Sequence, residues 1–192
     1  WPPESDSRDP APIDALIVTR AIGTGQEVRL IGLAKSADYR TNIGFANVSA
    51  SALAITVRLF GAGGASVGNA RTVTVPPFGY LQEDDIFTKA GAGAQADAYA
   101  IVSSATAGAR YFTYASVIDG RTNDPVCVVP VQPGSSTTRV FLPAGAHASG
   151  VSGTNWKTDL EIHNPGSTQA AFTVALLRKD QENIDPRSVG YT

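Results

Sequence analysis

The chain has 192 residues, a formal net charge of -2 and an apolar content of 43%. This length allows one large domain or two small ones, and the apolar content is sufficient for a packed core. The near-neutral charge gives no reason to expect nucleic acid or an anionic membrane surface as a partner. No apolar run reaches the roughly 18 residues of a membrane span, so the sequence predicts no transmembrane helix.

The composition favours an all-β protein. The sequence contains 19 Gly and 12 Pro together with many Val, Thr, Ile and Ala residues, a mixture typical of short strands joined by tight turns. Cys127 is the only cysteine, so an internal disulfide bond is impossible. It stands in an apolar stretch, where we expect a small buried side chain, with a bridge between two subunits as the alternative.

The first part of the chain predicts a tail followed by one β-sandwich unit. Residues 1–12 are rich in proline and predict an extended tail. The strands predicted in the unit, residues 13–131, are 13–20, 27–34, 39–47, 53–60, 71–75, 98–103, 110–118 and 125–131. Glu83, Asp84 and Asp85 precede a single apolar turn at 86–89, which predicts a short helix crossing between two sheets.

Two stretches, 39–47 and 156–164, repeat the same alternation of apolar and polar residues. Their inward faces match one for one, Tyr39, Thr41, Ile43, Phe45 and Asn47 in the first and Trp156, Thr158, Leu160, Ile162 and Asn164 in the second. Such alternation predicts a strand with one side in a core and the other in water. Phe172, Val174 and Leu176 also match Ile55, Val57 and Leu59 at the same separation of 117 residues, which indicates an internal repeat.

The repeat divides the chain into two units. Residues 132–138 predict a linker, and residues 139–192 predict a second, partial sandwich with about four strands. The predicted core face of this second unit consists of Trp156, Leu160, Ile162, Phe172, Val174 and Leu176. A short open sheet rarely buries enough apolar surface to fold alone. We therefore expect unit one, another chain or further residues to cover that face.

The stretch 156–165 and its counterpart at 39–47 carry a resemblance to a known family. An aromatic residue, a threonine and alternating apolar residues, ending in Asn and a turn, resemble tandem immunoglobulin-like β-sandwich modules of bacterial secreted and cell-surface proteins. The paired cysteines of antibody domains are missing. The resemblance implies an immunoglobulin-like sandwich followed by an incomplete one, an extracellular or cell-surface location, and no enzymatic activity.

The motifs that could carry chemistry have simpler structural explanations. Residues 64–68 have the G-x-S-x-G spacing of a nucleophile elbow but are predicted to lie in a hairpin loop. Asp159, Glu161 and His163 alternate along one strand as metal ligands can, although a solvated face has the same pattern. We predict no catalytic, metal or cofactor site. Asn47 and Asn164 are predicted to form turns at strand ends.

Two functions remain open. In the first, a strand from a neighbouring copy completes unit two, which would generate a filament. The donor residues would be Ile13, Leu16 and Val18 of segment 13–20, although this segment is alternatively the first strand of unit one. In the second, the chain is an adhesin or a carbohydrate-binding module that binds a glycan or a protein. Exposed aromatic residues grouped on a concave face would favour the second function, but we predict that Phe112 and Tyr114 point into the core.

Overall fold

A computed structural model describes residues 20–132, 139–142 and 145–192 of the chain. The chain forms two compact units, with the boundary between Phe141 and Leu142. The predicted tail, residues 133–138 of the predicted linker, and the donor residues Ile13, Leu16 and Val18 lie outside the described residues.

Unit one is an all-β structure, as predicted, with two antiparallel sheets. Its strands are β1 (Ile22–Gly23), β2 (Glu27–Lys35), β3 (Tyr39–Asn47), β4 (Leu53–Gly61), β5 (Arg71–Val75), β6 (Tyr80–Glu83), β7 (Gln95–Ser103), β8 (Arg110–Asp119) and β9 (Pro125–Val128). Sheet A has the order β1-β8-β3-β6, with β9 also paired to β8, and sheet B has the order β2-β7-β4-β5.

The strand pairing follows one long hairpin folded over itself. β1 pairs with β8, β2 with β7, β3 with β6 and β4 with β5. This is the pairing of a jelly roll, in which two Greek keys form a double sheet. It departs from the immunoglobulin order that the resemblance implied, where the first, second, fourth and fifth strands share a sheet. The alternation of apolar residues is the same in both arrangements and does not distinguish them.

The core lies between the two sheets. Ile43 and Phe45 of β3 and Ile55 and Val57 of β4 are fully buried, as their alternation predicts. Burying a side chain of this size stabilises the fold by about 1.5–3 kcal/mol relative to leaving it exposed. Side chains of both sheets form one continuous cluster, so the two sheets fold as one unit.

Strand β8 places Phe112 and Tyr114 on the outer face of sheet A, whereas the sequence predicted them in the core. Tyr111, Thr113 and Ala115 are buried, and the Thr113 hydroxyl donates a hydrogen bond to the Gly44 carbonyl at 2.9 Å. Phe112 and Tyr114 are only partly buried and occupy the alternate positions of the strand, on the outer face of sheet A. The prediction was wrong because both faces of β8 carry aromatic residues, and the alternation alone does not say which face enters the core.

The predicted short helix is present as α1 (Ile86–Lys89), and it connects β6 of sheet A with β7 of sheet B. Its N-cap is Asp85, whose side chain accepts a hydrogen bond from the Thr88 amide at 3.3 Å. The same carboxylate forms an ion pair with Lys35 at 2.6 Å. Burial alone would raise the pKa of Asp85, but the hydrogen bonds from Lys35 and Thr88 outweigh it and lower that pKa. Of the three acidic residues before the helix, Asp85 acts as the cap, whereas Glu83 pairs with Arg71 at 2.9 Å and Asp84 accepts from Gln82 at 2.8 Å.

Unit two contains two separate antiparallel hairpins in its described residues. Their strands are β10 (His147–Ser149), β11 (Asn155–Lys157), β12 (Phe172–Leu176) and β13 (Arg187–Tyr191), paired as β10-β11 and β12-β13. The β12-β13 hairpin is the counterpart of β4-β5. The strand predicted over 156–164 ends at Lys157, so the prediction is wrong beyond that residue. Its counterpart β3 pairs with β6 and β8, and the described part of unit two has no equivalent of either.

The turn that follows the repeated strand is the same in both units. The Asn47 side chain donates to the Ser51 carbonyl at 2.8 Å and accepts from the Ser49 amide at 2.8 Å. At the equivalent positions, Asn164 donates to the Thr168 carbonyl at 2.7 Å and accepts from the Gly166 amide at 3.0 Å. The predicted role of both asparagines is confirmed, and the repeat extends to individual hydrogen bonds.

Candidate functional site

The outer face of sheet A groups aromatic residues around two small ones. On β3, Gly44 lies opposite Gln82 of β6 and Tyr114 of β8. One row further along, Ala46 lies opposite Tyr80 and Phe112. We call Tyr80, Phe112 and Tyr114 the aromatic platform. The small residues of the central strand let the larger side chains of both neighbouring strands approach each other above it.

The Tyr114 ring lies across Gly44. A β-carbon at position 44 would overlap Cε1 and Cζ of that ring, so only glycine allows this position of the tyrosine. The Tyr114 hydroxyl lies 2.7 Å from the Tyr80 hydroxyl and donates to Oε1 of Gln82 at 2.9 Å. These contacts hold the ring between β8 and β6.

A polar edge borders the platform along β6. Nε2 of Gln82 donates to Oδ1 of Asp84 at 2.8 Å, and both side chains are exposed. Burial raises the pKa of Tyr114, and its hydrogen bond with Tyr80 and the nearby Cys127 and Asp84 raise it further. The Tyr114 hydroxyl therefore keeps its proton and remains a donor near neutral pH.

A depression of about 800 Å³ adjoins the platform on the far side of β8. Its lining includes Arg20, Phe112, Tyr114, Cys127 and Val129. Cys127 is exposed, so the prediction of a buried thiol was wrong. β9 lies at the edge of sheet A, and Cys127 pairs with Ser116, which occupies the outer face, so no layer of described residues covers its side chain.

The interface residues predicted in unit two do not form an enclosed core in the described residues. Val174 is half-buried, whereas Trp156, Leu160, Ile162, Phe172 and Leu176 are exposed. Trp156 is 64% exposed and Leu176 62%. The rings of Phe172 and Tyr191 stack at 5.2 Å across the β12-β13 hairpin. This hairpin keeps its apolar residues together without covering them.

The remaining sequence motifs take the positions of structural residues. The G-x-S-x-G stretch lies in the loop between β4 and β5, as predicted, and Ser66 forms a bridge with Phe60. Asp159 and Glu161 are exposed. Across residues 20–132, 139–142 and 145–192, no three His, Cys, Asp or Glu side chains are grouped to hold a metal ion. The same ranges contain no helix that is long and apolar enough to cross a membrane.

The sequence reasoning missed Tyr80, Gln82 and Tyr114 as a group. The useful signal was Gly44 and Ala46, two small residues on the face of β3 that the alternation predicts to be polar. Small residues at outward positions leave room for side chains from neighbouring strands. Which side chains fill that room depends on the register between neighbouring strands, and that register cannot be read from the sequence.

The comparisons with known proteins add one weak structural similarity. No protein-family model matches the chain, and no curated protein matches it. Among solved structures, the crystal structure of Thermotoga maritima 1070 is similar, with a TM-score of 0.46 and 12% sequence identity over 59% of this chain and 98% of that chain. A similarity at this level assigns neither a family nor a function to the chain.

Proposed function

We propose that unit one is a non-catalytic recognition module that binds its ligand on the aromatic platform. The observation that carries this proposal is the fixed position of one exposed and two half-buried aromatic residues on one sheet face. Tyr80 is 57% exposed, yet its hydroxyl is hydrogen-bonded to Tyr114, which in turn is held over Gly44. Side chains that are already ordered lose little conformational entropy when a ligand binds them.

The chemistry of the platform suits recognition. Tyrosine offers an apolar ring and a polar tip, so it contributes contact area and a hydrogen bond from one side chain. The grouping of Tyr80, Phe112 and Tyr114 is the feature that favours a binding module over a purely structural subunit. Jelly-roll folds include lectin domains, which is a fold-level analogy and adds only general support.

Chemical-shift mapping tests where ligands bind. We expect that titrating the intact chain with a panel of neutral and acidic oligosaccharides and short peptides shifts the amide signals of Gly44, Gln82 and Tyr114. Tyr114→Ala should remove these shifts. Tyr99→Ala is the matched control, because Tyr99 is an aromatic residue of sheet B that stacks on Phe60 at 5.0 Å. Shifts confined to sheet B or to unit two would contradict the proposal.

Self-association through unit two is a second candidate function, supported by a separate observation. Leu59 is 2% exposed in unit one, but Leu176, its counterpart in unit two, is 62% exposed. A strand from a neighbouring copy would cover such a face and supply main-chain hydrogen bonds. In this proposal the chain is an extracellular structural subunit, and segment 13–20 is the donor strand.

Sedimentation velocity over a range of concentrations tests self-association. We expect the intact chain to form larger species as its concentration rises, and Val174→Asp to prevent this, because a buried unpaired charge opposes the contact. Thr173→Asp, at the neighbouring outward position of β12, is the control. Deletion of residues 1–20 then tests the donor segment. A chain that stays monomeric at high concentration would rule out this function.

A further inference from the structure

We infer that the ligand of the aromatic platform is an uncharged, hydroxyl-rich glycan. This inference rests on the proposed function of unit one and specifies the ligand class for the same surface. Three features carry it: the direction of the hydrogen bonds around Gln82, the charge of Asp84, and the exposed aromatic rings.

The hydrogen bonds at the platform leave mainly acceptors for a ligand. A tyrosine hydroxyl has one proton, and Tyr114 uses its proton to donate to Gln82 at 2.9 Å. The Tyr80 proton points to Tyr114 at 2.7 Å or to Gln82 at 3.1 Å, so it is also used within the network. The lone pairs of Tyr80, the second carboxylate oxygen of Asp84 and one N–H of the Gln82 amide remain. A ligand that matches this edge must donate hydrogen bonds, as sugar hydroxyls do.

The charge of the polar edge disfavours an anionic ligand. Asp84 is an exposed carboxylate side chain. Lys35 is paired with Asp85 at 2.6 Å and Lys89 with Glu83 at 3.7 Å, and Arg20 lines the adjoining depression rather than the edge formed by Gln82 and Asp84. An acidic glycan or a phosphate group would therefore meet a negative charge at this edge. A neutral sugar meets no like charge there, and its hydroxyls can donate to the acceptors.

The aromatic rings supply the other half of the contact. A pyranose ring has an apolar face of C–H groups and a rim of hydroxyls, which matches an aromatic surface beside a row of acceptors. A depression of about 800 Å³ adjoins Phe112 and Tyr114 and continues the surface beside their rings.

Native affinity electrophoresis of the intact chain tests the inference. The gels contain soluble glucans, mannans, galactomannans or xylans as neutral polymers, polygalacturonate as an acidic polymer, or glycol chitosan as a cationic polymer. We expect at least one neutral polymer to retard the chain and polygalacturonate to have no effect. Tyr80→Ala should weaken the neutral interaction about tenfold, equivalent to about 1.4 kcal/mol. Asp84→Asn should weaken it about threefold, and Tyr99→Ala should leave it unchanged.

The other outcomes separate the ligand class from the site. Retardation by polygalacturonate or glycol chitosan alone, lost in Tyr80→Ala, would overturn the neutral-glycan inference and leave the platform as the binding surface. Retardation by a neutral polymer that persists in both Tyr80→Ala and Tyr114→Ala would overturn the inference and the proposed function together. Retardation by none of the polymers would overturn the glycan class, and peptide titrations would then decide the function of the platform.

Discussion

Gly44→Val should abolish ligand binding at the platform while unit one stays folded. The valine side chain would occupy the space above β3 where Cε1 and Cζ of Tyr114 now lie. Tyr114 must then swing outward, which breaks its hydrogen bond to Gln82 and its contact with Tyr80. Because valine favours strands, we expect the free energy of unfolding to change by no more than about 1 kcal/mol.

Affinity electrophoresis measures the loss of binding, and a thermal unfolding curve measures the change in stability. Gly63→Val is the matched control, since a β-carbon at Gly63 would have open space around it. The control should bind as the unmodified chain does. A Gly44→Val variant that is folded and binds with unchanged affinity would show that the position of Tyr114 does not matter for recognition.

Asn47→Ala should lower the free energy of unfolding of unit one by about 3 kcal/mol. The Asn47 side chain is buried and connects the turn after β3 with the end of β5. Besides its bonds to Ser49 and Ser51, it donates to the Val75 and Pro76 carbonyls at 3.2 and 2.9 Å. Removing the amide takes away the buried hydrogen bond to the Val75 carbonyl and the bonds that hold the turn, although the Pro76 carbonyl still accepts from the Gly79 amide at 3.0 Å. A buried backbone group left without a partner costs about 1–3 kcal/mol before relaxation.

The same substitution in the repeat provides a matched comparison. Asn164→Ala removes two hydrogen bonds from an exposed side chain, so we expect a loss of less than about 1 kcal/mol. Hydrogen exchange followed by mass spectrometry measures both effects, because peptides from β3 and β5 report unit one separately from unit two. Equal destabilisation by the two substitutions would contradict the role we give to the contacts with Val75 and Pro76.

The local features of the fold were predictable from the sequence. The inward residues of β4 and those of β3 from Thr41 onward, the Asp85 cap and the turns at Asn47 and Asn164 all depend on residues close together in the chain. Tyr39 was also predicted to face inward, but it begins β3 and is 44% exposed. Strand alternation and capping are determined by neighbouring residues, so they can be recognised without knowing which strands pair. The repeat was recognisable for the same reason.

The features that were predicted wrongly or missed depend on contacts between strands that are distant in the sequence. The order of strands in each sheet separates a jelly roll from an immunoglobulin domain, and both have the same alternation. The aromatic platform depends on Gly44, Gln82 and Tyr114 lying side by side in three strands. The stretch after Lys157 was predicted as a strand because its residues alternate, but a strand also needs partners, and the described part of unit two has none for it.

The dissociation constant of the platform is the most direct test of the central claim, that Tyr80 and Tyr114 form a ligand-binding surface. Calorimetry on the intact chain should use the neutral polysaccharide that retards it most strongly. The Tyr80→Ala/Tyr114→Ala double variant should bind at least about tenfold more weakly, a difference of about 1.4 kcal/mol or more, with little change in Tm. The same dissociation constant for a folded double variant would contradict the claim.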